Sequence, residues 1–410
     1  MSFLAYLQIF SSYWSSTLQF FFPGIITYKQ FAFILAIISA AAILKTIINN
    51  KLKIARKSLA VIIIIGTIVI LYSITPFFYS LSTNTNYDSF FLALVGQLAP
   101  GIITATLLSN NYLVQEKIKA LTPIVSIVFT FITFVGALFP TSSTSGGYVD
   151  NENGLNYQLI SYIAAYSSAL IEYYLLVKDN IIQIKIFKSR KAVILLYFII
   201  FIDLFIILMA GGRGGFLAYF LFIILTIFIY LFTKKIRYIQ LGKFFLEGVV
   251  ASGVLVFVIN RINFFNMNSG ISRILGFLSG EGDPARASLR DEAISIFLNK
   301  PIVGHGLGSV FYELGIYSHN FFTDSLVEMG IIGTFLISLV ILKALIKCKK
   351  MIKIDYTNCI WLYIFLCGFI MSMFSGYYLN QFPLWWSVVF MLSFRPKKAS
   401  EVTADIELGK

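Results

Sequence analysis

The chain has 410 residues, 58% of them hydrophobic and only 12% charged. A soluble globule carries roughly 25% charged residues, so that class is excluded, and the alternating segments of about ten residues that mark a membrane β-barrel are missing. The net charge of +13 does not point to nucleic acid, because the basic residues sort by loop.

Apolar runs of about 20 residues recur, each long enough to cross a hydrocarbon core of about 30 Å. Backbone in lipid must satisfy its own hydrogen bonds, so these runs are read as helices. Twelve spans are predicted, at 4–22, 30–48, 59–80, 89–108, 121–139, 158–178, 192–210, 216–233, 244–260, 328–346, 358–377 and 383–394. The expected fold class is an all-α polytopic membrane protein. Residues 1–394 form one transmembrane domain, with a large external loop, 261–327, between spans nine and ten. Residues 395–410 form a polar tail.

The first span is rather polar, with Gln8, Ser11, Ser12, Ser15, Ser16 and Gln19; it either crosses the bilayer or lies in the interface. It lacks a basic n-region and a clear cleavage site, so it reads as a retained helix. Every second loop is basic. Of 32 lysines and arginines, only Lys29, Arg213, Arg261, Arg273, Arg286, Arg290 and Lys300 fall in the remaining loops. The positive-inside bias therefore places both termini and the basic tail in the cytoplasm. Cys348, Cys359 and Cys367 lie on a cytoplasmic loop and the helix after it, so no disulfide framework is expected.

Asp203 falls mid-span, where a carboxylate is costly and faces protein or water. It is either protonated and structural, paired with a group such as Gln97, or catalytic. Glu172 and Glu247 lie nearer the cytoplasmic ends of their spans and are expected to reach basic loops. Gly211-Gly212-Arg213-Gly214-Gly215 reads as a short external hairpin whose glycines present the guanidinium at the outer face. An external arginine runs against the charge bias. It suits a phosphate by bidentate hydrogen bonding, or else a lipid headgroup.

The external loop holds both histidines of the chain. Asp283-Pro284 suits a helix start, and residues 285–298 have helical period. Leu289, Ala293, Ile296 and Phe297 form an apolar stripe. Arg286 and Arg290, four apart, project from one face beside it. Gly304, Gly306 and Gly308 alternate after this helix. They form either a tight turn or a nest of amides for an anion. Ser318-His319-Asn320 precedes span ten, where Ser318 or Asn320 can cap the helix. His319 at its positive end is either a structural histidine or a neutral imidazole fit to act as a general base. The loop carboxylates include Glu281-Gly282-Asp283 but no Asp-x-Asp pair.

The order of these motifs resembles the O-antigen polymerase and O-antigen ligase superfamily of bacterial envelope glycan enzymes. The residues that carry it are the Gly-Arg-Gly loop at 213, the run Asn299-Lys300-Pro301-Ile302-Val303-Gly304-His305-Gly306-Leu307-Gly308, the pair His319-Asn320, and Glu328-Met329-Gly330-Ile331-Ile332-Gly333. The resemblance implies a GT-C-like fold and catalysis at the periplasmic face of the bacterial inner membrane. The donor would be an undecaprenyl-diphosphate-linked glycan, and no metal or other cofactor is implied. Arg213 and Arg290 match the family's essential external arginines and would hold the lipid diphosphate. His319 matches its histidine, which assists the acceptor; Arg286, Gly304 and Gly306 are further candidate substrate contacts. A polymerase of O-antigen, capsular or exopolysaccharide is the expected activity. It would work beside membrane lipids, a chain-length regulator and a flippase, with no nucleic-acid partner. A ligase transferring glycan to the lipid A core is the alternative, and a transporter or flippase a more distant one.

Overall fold

The computed structural model describes residues 1–22, 25–50, 56–79, 85–138, 155–233 and 284–395, with isolated positions 242, 253, 275, 276 and 279 between them. Every regular element among these residues is helical. In chain order they are α1 (Ser2–Ile9), α2 (Ser11–Phe21), α3 (Tyr28–Asn50), α4 (Arg56–Phe78), α5 (Thr85–Ala93), α6 (Ala99–Leu108), α7 (Tyr112–Leu138), α8 (Tyr157–Val177), α9 (Arg190–Ala210) and α10 (Arg213–Thr233). Then come α11 (Pro284–Asn299), α12 (Val310–Glu313), α13 (Phe321–Ile354), α14 (Ile360–Phe374) and α15 (Phe382–Ser393). A π-helical turn over Leu94–Leu98 joins α5 to α6, so Gly96 and Pro100 distort that span without breaking it.

Among the described residues, seven helical stretches are long and apolar enough to cross a membrane: Asn86–Leu108, Tyr112–Leu138, Tyr157–Asn180, Arg190–Ala210, Arg213–Phe232, Phe321–Ile354 and Tyr356–Phe374. The chain is thus a polytopic helical membrane protein. Two expected spans take another form. Residues 4–22 are broken at Phe10 (φ −112°, ψ 31°) into α1 and α2. Gln8, Ser11 and Ser15 there face inward: Gln8 Nε2 donates to Ser39 Oγ (2.7 Å) and to Thr104 Oγ1 (3.0 Å). Residues 382–393 form a 12-residue helix, about 18 Å long at 1.5 Å per residue and short of a full crossing. Its Trp386 and Phe390 stack on Trp361 of α14 inside the bundle. The expected span 244–260 and most of loop residues 261–283 lie outside the described residues, as does the tail 396–410.

Helix α8 is the axis of the bundle. Residues 160–177 are all buried, and the helix is less apolar than α9. A helix enclosed by protein can carry polar groups that a lipid-facing one cannot. The flanking helices turn Ile194, Leu195 and Phe198 of α9 and Ile224, Phe228 and Leu231 of α10 outward. Several buried polar groups are paired across helices. Asp203 accepts from Thr130 Oγ1 (2.8 Å) and Ser168 Oγ (3.2 Å), not from Gln97. Glu172 is fully buried and accepts from Thr226 Oγ1 (2.7 Å). Glu247 lies outside the described residues. At the end of the bundle away from α11, buried Lys119 bonds Glu116 (2.7 Å), Asp355 (3.3 Å) and Thr357 (2.7 Å), tying α7 to the α13–α14 junction.

Candidate functional site

The start of α10 is set by its contact with α8. Gly211 closes α9 in the left-handed conformation (φ 68°) with its amide on Ile207. Only Gly211 and Gly212 separate the helices, and Arg213 is already the first residue of α10. The glycines around it serve packing rather than exposure. A Cβ on Gly212 or Gly215 would stand within 2.5 Å of Ser161, and one on Gly214 would stand 1.8 Å from the Tyr162 hydroxyl. Ser161 Oγ also donates to the Gly212 carbonyl (3.1 Å). Arg213 is therefore half-buried beside Tyr162, not displayed on a bare hairpin.

The two glycine-rich motifs explain each other. Helix α13 is interrupted at Gly330, whose φ of 62° and ψ of −168° suit only glycine. The interruption leaves carbonyls and amides without helical partners, and the loop before the helix supplies them. The amides of His305 and Gly306 donate to the carbonyls of Val327 (2.9 Å) and Glu328 (2.8 Å). In the other direction, Ile331 and Ile332 donate to Pro301 (2.9 Å) and Ile302 (3.3 Å). Gly304 (φ 72°) and Gly330 sit where these strands of chain touch. A Cβ on Gly304 would lie 2.5 Å from the Glu328 carbonyl, and one on Gly330 2.4 Å from that of Ile302. The expected amide nest at Gly304 and Gly306 is thereby corrected: their N–H groups are occupied by Lys300 (3.0 Å) and Glu328 and are not offered to an anion. The carboxylate of Glu328, buried below the break, accepts from Tyr377 (2.8 Å) and Tyr378 (2.7 Å).

The Ser318–Asn320 turn ends on the same helix. Asn320 caps α13, its side chain accepting from the amides of Phe322 (3.0 Å) and Thr323 (3.2 Å). Asp324 is buried and accepts the Ser318 amide at 2.7 Å. Held between these bonds, His319 has φ 61°, the one positive value at a non-glycine position among the described residues. Such strain persists only where the surroundings enforce it.

What gathers the site is the end of α14. The Phe374 carbonyl accepts from Arg286 Nη1 (2.5 Å), and the Met373 carbonyl from Asn320 Nδ2 (3.4 Å). The Ser375 carbonyl accepts from the Tyr317 hydroxyl (3.2 Å) and lies 3.2 Å from His319 Nδ1. A carbonyl only accepts, so this contact places a proton on Nδ1. The His319 ring packs edge-on against Tyr317, 4.5 Å between centroids. Ser375 Oγ bonds the Tyr162 hydroxyl (3.0 Å), which closes the circle to Gly214 at the start of α10. Burial pushes the Tyr317 phenol above its ordinary value, Asp324 adds to the rise, and the Arg286 cation opposes it.

Of the residues singled out from the sequence, Arg286 and His319 thus meet in one polar cluster, and the helix start that bears Arg213 abuts it through Gly214 and Tyr162. Arg290 does not enter it. It is exposed on α11, with its Nε donating to the Arg286 carbonyl (3.1 Å). His305 lies apart as well, with Nε2 3.0 Å from the Ile296 carbonyl and Nδ1 3.3 Å from Glu313, which also accepts from Tyr79 (2.6 Å). Sequence reasoning missed Tyr162, Tyr317, Asp324 and Ser375. For Asp324 a signal existed, since an acid four residues after a capping asparagine can bond back to the turn. For the carbonyls of 373–375 there was none.

Fold and site together define a multi-pass membrane protein with arginines and a histidine collected at one end of its helices. Residues 197–338, about a third of the chain, match the family model described as O-antigen ligase. The match runs from α9 through the break in α13 and supports the O-antigen polymerase and ligase superfamily. It implies a glycosyltransferase-like enzyme with lipid-linked glycan substrates. Neither the curated proteins nor the solved structures compared give a match.

Proposed function

We propose that the chain is a polymerase of O-antigen, capsular or exopolysaccharide, with a GT-C-like fold and its arginine-bearing end at the periplasmic face of the inner membrane. It transfers a growing glycan from undecaprenyl diphosphate to a lipid-linked repeat unit. The observation that carries this reading is the convergence of Arg286, Tyr317 and His319 on the α14 carbonyls beside Tyr162, against which Gly214, the neighbour of Arg213, is packed.

In the proposed reaction, Arg213 and Arg286 hold the diphosphate and stabilise the charge it gains as it leaves. Guanidinium groups serve here where a divalent cation serves in other transferases. His319 Nε2 takes the proton of the acceptor hydroxyl, since Nδ1 is engaged by Ser375. The acceptor oxygen forms its bond to the anomeric carbon from the face opposite the leaving group. The carbon–oxygen bond to the diphosphate breaks with its electron pair, and the configuration inverts. Arg290, on the same helix as Arg286, contacts the donor at the edge of the site.

A ligase for the lipid A core is the second reading, favoured by the description of the matched family. A gel of surface polysaccharide from a deletion strain separates the two. A lost polymerase leaves one repeat unit on each lipid core. A lost ligase leaves bare core and accumulates lipid-linked polymer. Unchanged long chains would overturn both.

A further inference from the structure

We propose that α11 and the turn at Ile302–Val303 are seated in the hydrocarbon of the adjacent bilayer leaflet, so that Arg286 and Arg290 stand at headgroup depth. This inference needs only that the chain crosses a membrane and does not depend on the reaction proposed above.

Helix α11 has three faces. Ala293 is fully buried, and Ile296 and Phe297 pack partly against the core, so this face meets the protein. Ser288, Asp291, Glu292 and Ser295 are exposed and polar, so a second face suits water. Between these two lies an edge that repeats every four residues: Arg286, Arg290, Ile294, Leu298. It changes from guanidinium to hydrocarbon along about 18 Å of helix. Its apolar half is open, with Ile294 46% and Leu298 65% exposed. The stripe then continues into the turn, where Ile302 and Val303 are 61% and 68% exposed.

That turn is pinned to a membrane span. The amides of Ile331 and Ile332 bond the carbonyls of Pro301 and Ile302. Ile331 and Ile332 are themselves more than half exposed, at the top of the outward face of α13. The apolar edge of α11 is therefore continuous with a surface that lipid chains already cover. Exposed Asn299 and Lys300 follow Leu298, and past them Ile302, Val303, Ile331 and Ile332 form one exposed apolar surface held together by the backbone bonds of the turn. A helix with protein on one side, lipid along an edge and water above has the form of an interfacial element. The cationic end of that edge then reaches the level at which lipid phosphates lie.

The test uses single-cysteine reporters. Cys348, Cys359 and Cys367 are all buried, so an introduced surface thiol can be labelled selectively in the folded protein. Variants Leu298→Cys, Ile302→Cys, Ser288→Cys and Glu292→Cys carry an environment-sensitive fluorophore. Each is reconstituted into phosphatidylethanolamine–phosphatidylglycerol vesicles with or without acyl-brominated lipid. Labels at 298 and 302 are expected to be blue-shifted and to lose emission with brominated lipid, while those at 288 and 292 keep theirs. Equal quenching at all four positions, or none at 298 and 302, overturns the proposal. Self-quenching between labels at 298 without bromolipid quenching would assign the surface to a second copy of the chain and overturn it as well. Because no arm measures glycosyl transfer, this result is independent of the proposed reaction.

Discussion

Gly330→Ala is the sharpest perturbation of the architecture that carries His319. Two costs combine. The backbone at φ 62° and ψ −168° is a region open essentially to glycine, and an alanine held there costs about 1–3 kcal/mol. The new Cβ would also stand 2.4 Å from the Ile302 carbonyl carbon and oxygen. The loop must then withdraw, which loosens the Ile331–Pro301 and Gly306–Glu328 bonds. Each such bond contributes about 1 kcal/mol net. Strain and lost bonds together give about 3–5 kcal/mol. A suitable control is Gly315→Ala, which shares the positive φ (73°) but has nothing within 4 Å of its Cβ. It costs about 1–2 kcal/mol, from backbone strain alone. Both are read by thermal unfolding in detergent with a thiol-reactive dye, since all three cysteines are buried in the folded chain. Gly330→Ala should unfold several degrees below wild type and clearly below Gly315→Ala. If the two variants unfold together, the interlock between the glycine loop and the α13 break is refuted.

Arg213→Ala and Arg286→Ala should each abolish polymer in a complemented deletion strain while the protein remains inserted. Arg286→Lys should lose most activity, because a point charge does not reproduce the guanidinium fork. Arg290→Ala should instead raise KM for the lipid-linked donor more than it lowers kcat, as measured with purified enzyme, because its side chain lies outside the polar cluster. Activity should persist in excess chelator; loss that is restored by one divalent ion would refute the arginine clamp. Stability should fall in acid through Asp355. Burial alone would raise that carboxyl, but Lys119 and Thr357 bring it below its ordinary value. A depressed folded pKa stabilises above the unfolded value, about 3.9, and that contribution is lost as pH falls through the folded value. Lys119→Met should flatten the unfolding temperature over this acid range.

The sequence made the helices legible because lipid leaves so few alternatives. It placed Arg213, Arg286 and His319 at the same end of their spans, where the fold also has them. The residues alone did not separate Arg286 from Arg290, and the resemblance gave the leading role to Arg290, whereas it is Arg286 that reaches the α14 carbonyls. Four residues apart on one helix face, they differ only in how far each lies from the protein, which packing decides. The glycines at 304, 306 and 330 were legible as special positions but not as partners, because their pairing joins segments more than twenty residues apart. The α14 terminus, which organises the cluster, contributes backbone oxygens, and these have no signature among amino-acid letters. Asp203 and Glu172 were legible as costly, but their hydroxyl partners on neighbouring helices required the three-dimensional arrangement.

The polarity of α8 has a consequence for biogenesis. A carboxylate in a spanning helix costs up to roughly 3 kcal/mol on entering lipid alone, less toward the helix ends, and α8 carries Glu172 in its C-terminal third as well as buried Ser161, Ser167 and Ser168. This segment should therefore leave the insertion machinery accompanied, waiting beside α7 until α9 and α10 arrive with Asp203 and Thr226. The order of synthesis then matters as much as the final arrangement. A truncation after α8 should yield a chain that slips back out of the bilayer, whereas one after α10 should stay.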